Sequence, residues 1–317
     1  MKCFVTGGAG FIGSHLVDSL LAARCSVTVY DNFISGKHDF ISHQQESPDF
    51  ELLEGDLLNK ELLEKSINDH DFVFHLAANP DIRKSTADTR VDLEQGIIAT
   101  FNVLEAMRKQ GIKRIAFTST STVYGEATVI PTSEDYGPLI PISLYGASKL
   151  GAEALISSYC GSFEMQAWIF RFANIIGSRS THGIIYDFIQ KLKENPEELE
   201  ILGNGKQNKS YLLVEECVNA MLHAIARSEK SVNIYNLGAE DSTQVTTIAE
   251  IVTEELGLED VAFRYTGGER GWTGDVPRFL LAIDKIKELG WKPKHTSDQA
   301  IRKATQTLIK ELTANQI

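Results

Sequence analysis

The 317-residue chain is poor in several features, and each shortage closes a class of function. Only four cysteines occur, Cys3, Cys25, Cys160 and Cys217, far apart and without a C-x-x-C pair. They form no disulfide framework, and free thiols in a reducing compartment are expected. No cluster of His, Cys, Asp or Glu has the spacing of a metal site, so no metal is expected. No apolar stretch approaches the ~18 residues that a membrane span needs. The first apolar run reads as a strand feeding a glycine loop, not as a signal peptide, and a cytoplasmic location is expected. Basic charge is also scarce: 31 Lys and Arg stand against 43 Asp and Glu, a net charge of −12. Such a balance opposes non-specific nucleic-acid binding, which depends on cations that neutralise phosphates. It is compatible with a small anionic ligand, because a site is local and net charge is global. Internal repeats and low-complexity segments are missing too.

What remains is an ordinary globular composition, 43% hydrophobic and 23% charged, with enough apolar residues for a sizeable core. The length suits one large domain or two unequal ones. Short apolar runs alternate with helical periodicity through the first half. Strands are expected at Cys3–Val5, Val27–Tyr30, Phe50–Leu53, Phe72–Leu76, Arg114–Thr118 and Ala167–Arg171. Helices are expected at Ile12–Ala23, Leu57–Asn68, Leu93–Gln110 and Leu144–Cys160. This rhythm predicts an α/β fold, a Rossmann-like doubly wound parallel sheet. After Asn174 it breaks into segments rich in Gly, Pro and charge, although Val232–Gly238 still reads as a sheet strand. The expected division is a dinucleotide-binding domain over 1–175, to which a strand near 210–240 returns. A smaller, interleaved substrate-binding domain over 176–317 completes it.

Gly7-Gly8-Ala9-Gly10-Phe11-Ile12-Gly13 follows the first strand and opens the first helix. Glycine permits the tight turn, the approach of a pyrophosphate to the backbone and close packing of helix on sheet. The helix N-terminus offers N–H groups and the positive end of its dipole to phosphate. Asp31 closes the second strand, where an acid accepts from adenosine ribose hydroxyls and repels a 2′-phosphate. NAD is therefore expected rather than NADP. Asp56, at the end of the third strand, either contacts adenine or simply makes a turn.

Tyr145 and Lys149 lie four apart, on one helix face. A phenol with a pKa near ~10 is a weak base at neutral pH. A nearby ammonium, together with a positive nicotinamide ring, stabilises the phenolate and lowers that value. Such a tyrosine can take the proton of a substrate hydroxyl as hydride leaves the carbon. The pair follows the hydroxyl-rich run Thr118-Ser119-Thr120-Ser121-Thr122 at the carboxyl edge of the expected sheet. His75, after an apolar strand, reads as a packed histidine rather than a ligand.

On these residues the chain resembles the extended short-chain dehydrogenase/reductases, and within them the nucleotide-sugar 4-epimerases of the UDP-glucose/UDP-galactose type. The resemblance also rests on Asp31-Asn32, Gly55-Asp56-Leu57, His75-Leu76-Ala77-Ala78, Thr122-Val123-Tyr124-Gly125, Arg171-Phe172-Ala173-Asn174, Gly203-Asn204-Gly205-Lys206-Gln207 and Leu289-Gly290-Trp291. It implies that Gly7, Gly10, Phe11, Ile12, Gly13, Asp31, Asn32, Asp56, Leu57, Leu76, Ala77 and Ala78 line the NAD site with Tyr145 and Lys149. Tyr145, Lys149 and Thr120 become the catalytic residues, and Ser121, Thr122, Asn174, Lys209 and Arg270 contact a UDP-sugar. The implied reaction removes and returns hydride at C4 of a UDP-hexose through a 4-keto sugar, with NAD retained. A homodimer built on the helices Leu93–Gln110 and Leu144–Cys160 is also implied.

The resemblance discriminates among relatives. Nucleotide-sugar 4,6-dehydratases carry an Asp-Glu pair before Val-Tyr-Gly, and UDP-glucuronate decarboxylases carry a Glu there, whereas this chain has Ser121-Thr122. It also departs from the family. Lys209 and Ser210 replace an Arg-Asp pair, which removes a bidentate phosphate fork. Asp92 stands where an Asn usually borders the nicotinamide site. The loop Arg270-Gly271-Trp272-Thr273-Gly274-Asp275 is longer than usual, and Trp272 either covers the site or packs. A large residue at or beside the N-acetyl-sensing position, Phe279, leans towards plain hexoses. Two other readings stay open: a reductase or other epimerase of a different nucleotide sugar, and a non-catalytic NAD-binding scaffold.

Overall fold

The computed structural model describes residues 1–79, 87–272 and 274–314. Strands β1 (Lys2–Thr6), β2 (Ser26–Asp31), β3 (Phe50–Glu54), β4 (Phe72–His75), β5 (Arg114–Thr120) and β6 (Gln166–Phe172) share one sheet with Val232–Leu237. The order across this seven-stranded parallel sheet is Val232–Leu237, β6, β5, β4, β1, β2, β3. The order turns back at β1, which pairs in parallel with both β2 and β4. A sheet of this kind binds ligands at the carboxyl ends of its strands beside such a switch point. The β1–β4 register sets Thr6 opposite His75 at that edge. β4 is buried at every residue, which explains why its sequence is apolar without alternation.

Helices α1 (Phe11–Ala22), α2 (Lys60–Ser66), α3 (Ala99–Gln110) and α4 (Leu144–Phe163) accompany these strands. Two depart from the periodicity. The helix expected from Leu57 begins only at Lys60, because the Asp56 carboxylate accepts from Leu58 N at 2.8 Å and Asn59 caps Leu62 N at 3.2 Å. Such side-chain bonds compete with helical ones and belong at turns and caps. The helix expected over Leu93–Gln110 is two pieces, a π-helical stretch Leu93–Ile98 and α3, preceded by a helical turn at Arg90–Asp92. Thr100 Oγ1 donates to the Gly96 carbonyl at 2.6 Å inside the widened turn. α4 starts where Ser143 Oγ accepts from Gly146 N at 3.0 Å.

The chain forms two compact units. The first comprises 1–125, 137–171 and 221–235, and the second 126–136, 172–220 and 236–317. Phe4, Tyr30, Leu63, Val103 and Ile169 belong to the first core. The second has its own, which includes Ile189, Leu199, Ile248 and Ile301. In the second unit Asn174–Ile176 pairs with Tyr211–Leu213, and Asn208–Lys209 lies between Thr243–Gln244 and Arg278–Phe279.

Candidate active site

The glycine loop tolerates no side chain at its tightest points. Gly7 has φ +71°, and a Cβ there would sit 2.7 Å from Ala77 N; one on Gly13 would sit 2.1 Å from Gly7 O. Gly10 N donates to Gly7 O at 3.1 Å, which closes the turn. Gly10 also caps α1, and no side-chain oxygen occupies the cap. The first amides of α1, through Phe11, Ile12 and Gly13, are those an anion would meet. Asp31 is held beside the loop: its Oδ2 accepts from Ala9 N at 3.0 Å and its Oδ1 from Phe33 N at 2.9 Å. Burial raises the Asp31 pKa, and these amides oppose the rise. Asn32 Nδ2 donates to Asp56 Oδ2 at 3.0 Å, so Asp56 both makes its turn and ties two strand ends together. Leu57 is buried in the first core, and Leu76 N and Ala77 N donate to the carbonyl and hydroxyl of Thr6 at 3.1 and 3.3 Å; Ala78 follows at the same edge. A cradle that only glycine fits, a helix N-terminus and a fixed acid at the next strand end suit a dinucleotide.

Tyr145 and Lys149 share one face of α4, with Lys149 Nζ 5.9 Å from the Tyr145 ring centre and 4.7 Å from that of Phe117. The ammonium donates to the Thr118 carbonyl at 2.7 Å. Lys149 is buried, which lowers its pKa to about 8 against the opposing charges of Glu153 and Asp92. The chain's own groups push the Tyr145 pKa up, first by burial and then by the Asp92 carboxylate. The expectation that Lys149 lowers it is not met by the chain alone, because the ammonium is turned to Thr118 and Asp92 counteracts it. Asp92 is itself buried and accepts from Asn79 Nδ2 at 3.0 Å.

Thr120 ends β5 and accepts from both the amide and the hydroxyl of Thr122 at 3.2 Å. Its own hydroxyl proton remains to donate. Ser121 and Thr122 are half-buried in the turn that follows. Sequence reasoning overlooked the group behind this edge. Arg171 Nε donates to Glu153 Oε1 at 3.0 Å and Nη2 to Oε2 at 2.7 Å, while Nη1 donates to Tyr124 Oη at 3.0 Å. Ser119 Oγ donates to Glu153 Oε1 at 2.5 Å. The signal was legible: Glu153 stands one helical turn beyond Lys149, on the same face.

In the second unit Asn174 N donates to the Ser210 carbonyl at 3.2 Å. Lys209 and Arg270 converge on Asp275. Lys209 Nζ pairs with Asp275 Oδ1, Gly271 N donates to Oδ2 at 3.0 Å, and Arg270 Nη1 donates to the Asp275 carbonyl at 2.6 Å. Arg270 Nη2 also pairs with Glu126 at 2.5 Å. Ser210 exchanges hydrogen bonds with Ala239 N and O at 3.0 and 3.2 Å, a structural use of that position. Gln207 Oε1 and Asn208 Oδ1 are buried acceptors without a partner among the described residues. Trp272 is half-buried, Phe279 is half-buried at a strand end, and Thr273 lies outside the described residues. Among the described residues no helix is long and apolar enough to cross a membrane.

Comparison with known proteins bears on this geometry. Residues 3–238 match the NAD dependent epimerase/dehydratase family. A crystal structure of a UDP-galactose 4-epimerase shares 42% identity at a TM-score of 0.89, covering 98% of this chain and all (100%) of that one. The UDP-glucose 4-epimerase of Thermotoga maritima, solved with UDP-glucose, shares 30% identity at a TM-score of 0.88, with 98% and 100% covered. A UDP-N-acetyl-alpha-D-glucosaminuronate decarboxylase of Bacillus cytotoxicus is 35% identical, with 96% of this chain and 97% of that protein covered.

Proposed function

Since the chain belongs to the NAD dependent epimerase/dehydratase family, we propose that it is a 4-epimerase of a UDP-hexose, of the UDP-glucose/UDP-galactose kind. One observation carries this choice over the decarboxylase and dehydratase relatives. The residues that follow Thr120 at the end of β5 are Ser121 and Thr122. A hydroxyl pair cannot serve as the acid and base that elimination or decarboxylation requires, whereas proton removal from one alcohol needs only Tyr145.

NAD, when bound, supplies the acceptor that takes and returns the C4 hydride. Tyr145 takes the proton of the 4-hydroxyl, and Thr120 donates to the same oxygen and holds it in place. The phenol pKa, raised by burial and Asp92, must fall for this step. The buried Lys149 ammonium stabilises the phenolate by its charge and its distance of 5.9 Å from the ring. Ser121 and Thr122 contact the hexose. Lys209, Arg270 and Asn174 hold the diphosphate side, and the unpartnered oxygens of Gln207 and Asn208 accept from the nucleotide. The first unit is the NAD-binding domain and the second the substrate-binding domain. The homodimer reading is supported by apolar residues left exposed on the elements the resemblance assigns to it: Leu93, Ile98 and Phe101 around α3, and Leu144 and Phe163 on α4.

A coenzyme-free assay with UDP-galactose, UDP-N-acetylgalactosamine and UDP-glucuronate tests the proposal. Formation of UDP-glucose, abolished by Tyr145→Phe while bound NAD is retained, is the expected result. Release of CO2 from UDP-glucuronate instead would replace it with the decarboxylase reading, which the 35% identical relative favours. A single monomer peak in light scattering would remove the dimer.

A further inference from the structure

His75 is fully buried at the end of β4 and has no part in the reaction above. Its ring is bonded at both nitrogens: Nδ1 lies 2.7 Å from Thr6 Oγ1 and Nε2 lies 3.0 Å from Thr100 Oγ1. The direction of these bonds follows from their ends. Thr100 Oγ1 spends its proton on the Gly96 carbonyl at 2.6 Å, which can only accept. It therefore accepts from His75, and Nε2 carries the hydrogen. Nδ1 is then bare in the neutral ring and accepts from Thr6, whose oxygen in turn accepts from Ala77 N at 3.3 Å. One chain runs from the Ala77 amide through Thr6, His75 and Thr100 to Gly96, with each hydrogen used once.

Both ends of this chain bear on the site. Ala77 N lies 2.7 Å from where a Cβ on Gly7 would fall, at a close approach of the glycine loop. Gly96 sits in the π-helical stretch, and a Cβ there would meet Ser148 Oγ at 2.6 Å. Ser148 immediately precedes Lys149, and its hydroxyl donates to the Tyr145 carbonyl at 2.8 Å. The placement of Gly96 thus decides how closely α4 can approach. π-helical turns of this kind are frequent at functional sites.

We propose that His75 is a positioning residue: a neutral imidazole that, through Thr6 and Thr100, locks the glycine loop and the π-helical stretch at the spacing that seats Tyr145 and Lys149. A protonated ring would have donors at both nitrogens and would break the directed chain. Burial, reinforced by the Lys149 ammonium, holds the His75 pKa down to about 3. Phe117 is the other ring in contact, 5.6 Å away and itself beneath Lys149 Nζ.

The kinetic part rests on the 4-epimerase reading, so the test has an arm that needs no substrate. Nitrogen NMR of the full-length, histidine-labelled protein should show His75 as the Nε2–H tautomer, unchanged from pH 8 to pH 5. An Nδ1–H tautomer, or titration within that range, overturns the proposal whatever the enzyme turns over. Thr100→Val removes the hydroxyl and keeps the shape, and Thr100→Ser restores it. Below the unfolding temperature of each variant, Val should lower kcat about 10- to 100-fold with KM and bound NAD unchanged, while Ser stays within about threefold of the parent. A Val variant as fast as the parent overturns the proposal. Absence of turnover in the parent chain counts against the epimerase reading, and a Val variant that does not fold leaves the decision to the tautomer.

Discussion

Arg171 and Glu153 grip one another inside the first unit through two nearly parallel hydrogen bonds, 3.0 and 2.7 Å long, with both side chains about 95% withdrawn from water. The Arg171 pKa is raised because the Glu153 bonds and charge outweigh burial. The pair joins β6 to α4 one turn beyond Lys149, and Ser119 and Tyr124 hydrogen-bond to it.

Removing one partner of such a pair strands the other's charge. Arg171→Ala should cost about 3–5 kcal/mol in urea unfolding, whereas a double Arg171→Met, Glu153→Leu replacement should cost much less. Equal losses in the two variants would show that packing, not charge, explains the position.

Lys149→Met should be inactive and yet more stable. The Lys149 pKa of about 8 against an ordinary 10.5 means that the folded chain carries a buried ammonium at a cost. The unfolded chain binds more protons between those values, so stability rises with pH through that window in the parent. At pH 7 the variant should gain about 1–3 kcal/mol, and its stability should not rise between pH 8 and 10.5. A variant less stable than the parent at pH 7 would show that the bond to Thr118 outweighs the burial cost.

Gly13→Ala should fold poorly or purify without NAD. The added methyl would sit 2.1 Å from Gly7 O, so either α1 or the loop must move. The expected loss is about 1–3 kcal/mol together with the cofactor absorbance of the purified protein. Undiminished NAD content would show that the loop yields without penalty.

His75 should make the fold acid-sensitive. Its folded pKa of about 3 lies below the ordinary 6.5, so its contribution is complete above pH 6.5 and is lost as pH falls towards 3. Between pH 7 and pH 5 this amounts to about 2 kcal/mol, visible as a lower urea midpoint that His75→Gln makes less pH-dependent. Identical pH slopes for parent and variant would contradict it.

The large sheet was legible because its strands are short, mainly apolar runs between turn residues, and the glycine loop because only glycine fits where Gly7 meets Ala77. Tyr145 and Lys149 were legible from a spacing of four. The π-helical stretch was not, since it accompanies the close approach of Ser148 to Gly96, which is tertiary, and the Thr100 bond to Gly96 shows only in three dimensions. Nor was the His75 chain, whose members come from three segments that only the β1–β4 register and the packing of α3 bring together. Composition likewise could not reveal that Asp275 holds both Lys209 and Arg270.

The last strand of the sheet, Val232–Leu237, lies far along the chain from its neighbour β6. During synthesis β6 is made long before that strand emerges, and its outer row of amides and carbonyls meanwhile lacks a partner. An exposed sheet edge invites pairing with another chain. The newborn protein therefore passes through a window of vulnerability that closes only when Leu237 has left the ribosome. A stop codon anywhere between β6 and that point would yield a sticky fragment rather than a smaller working enzyme.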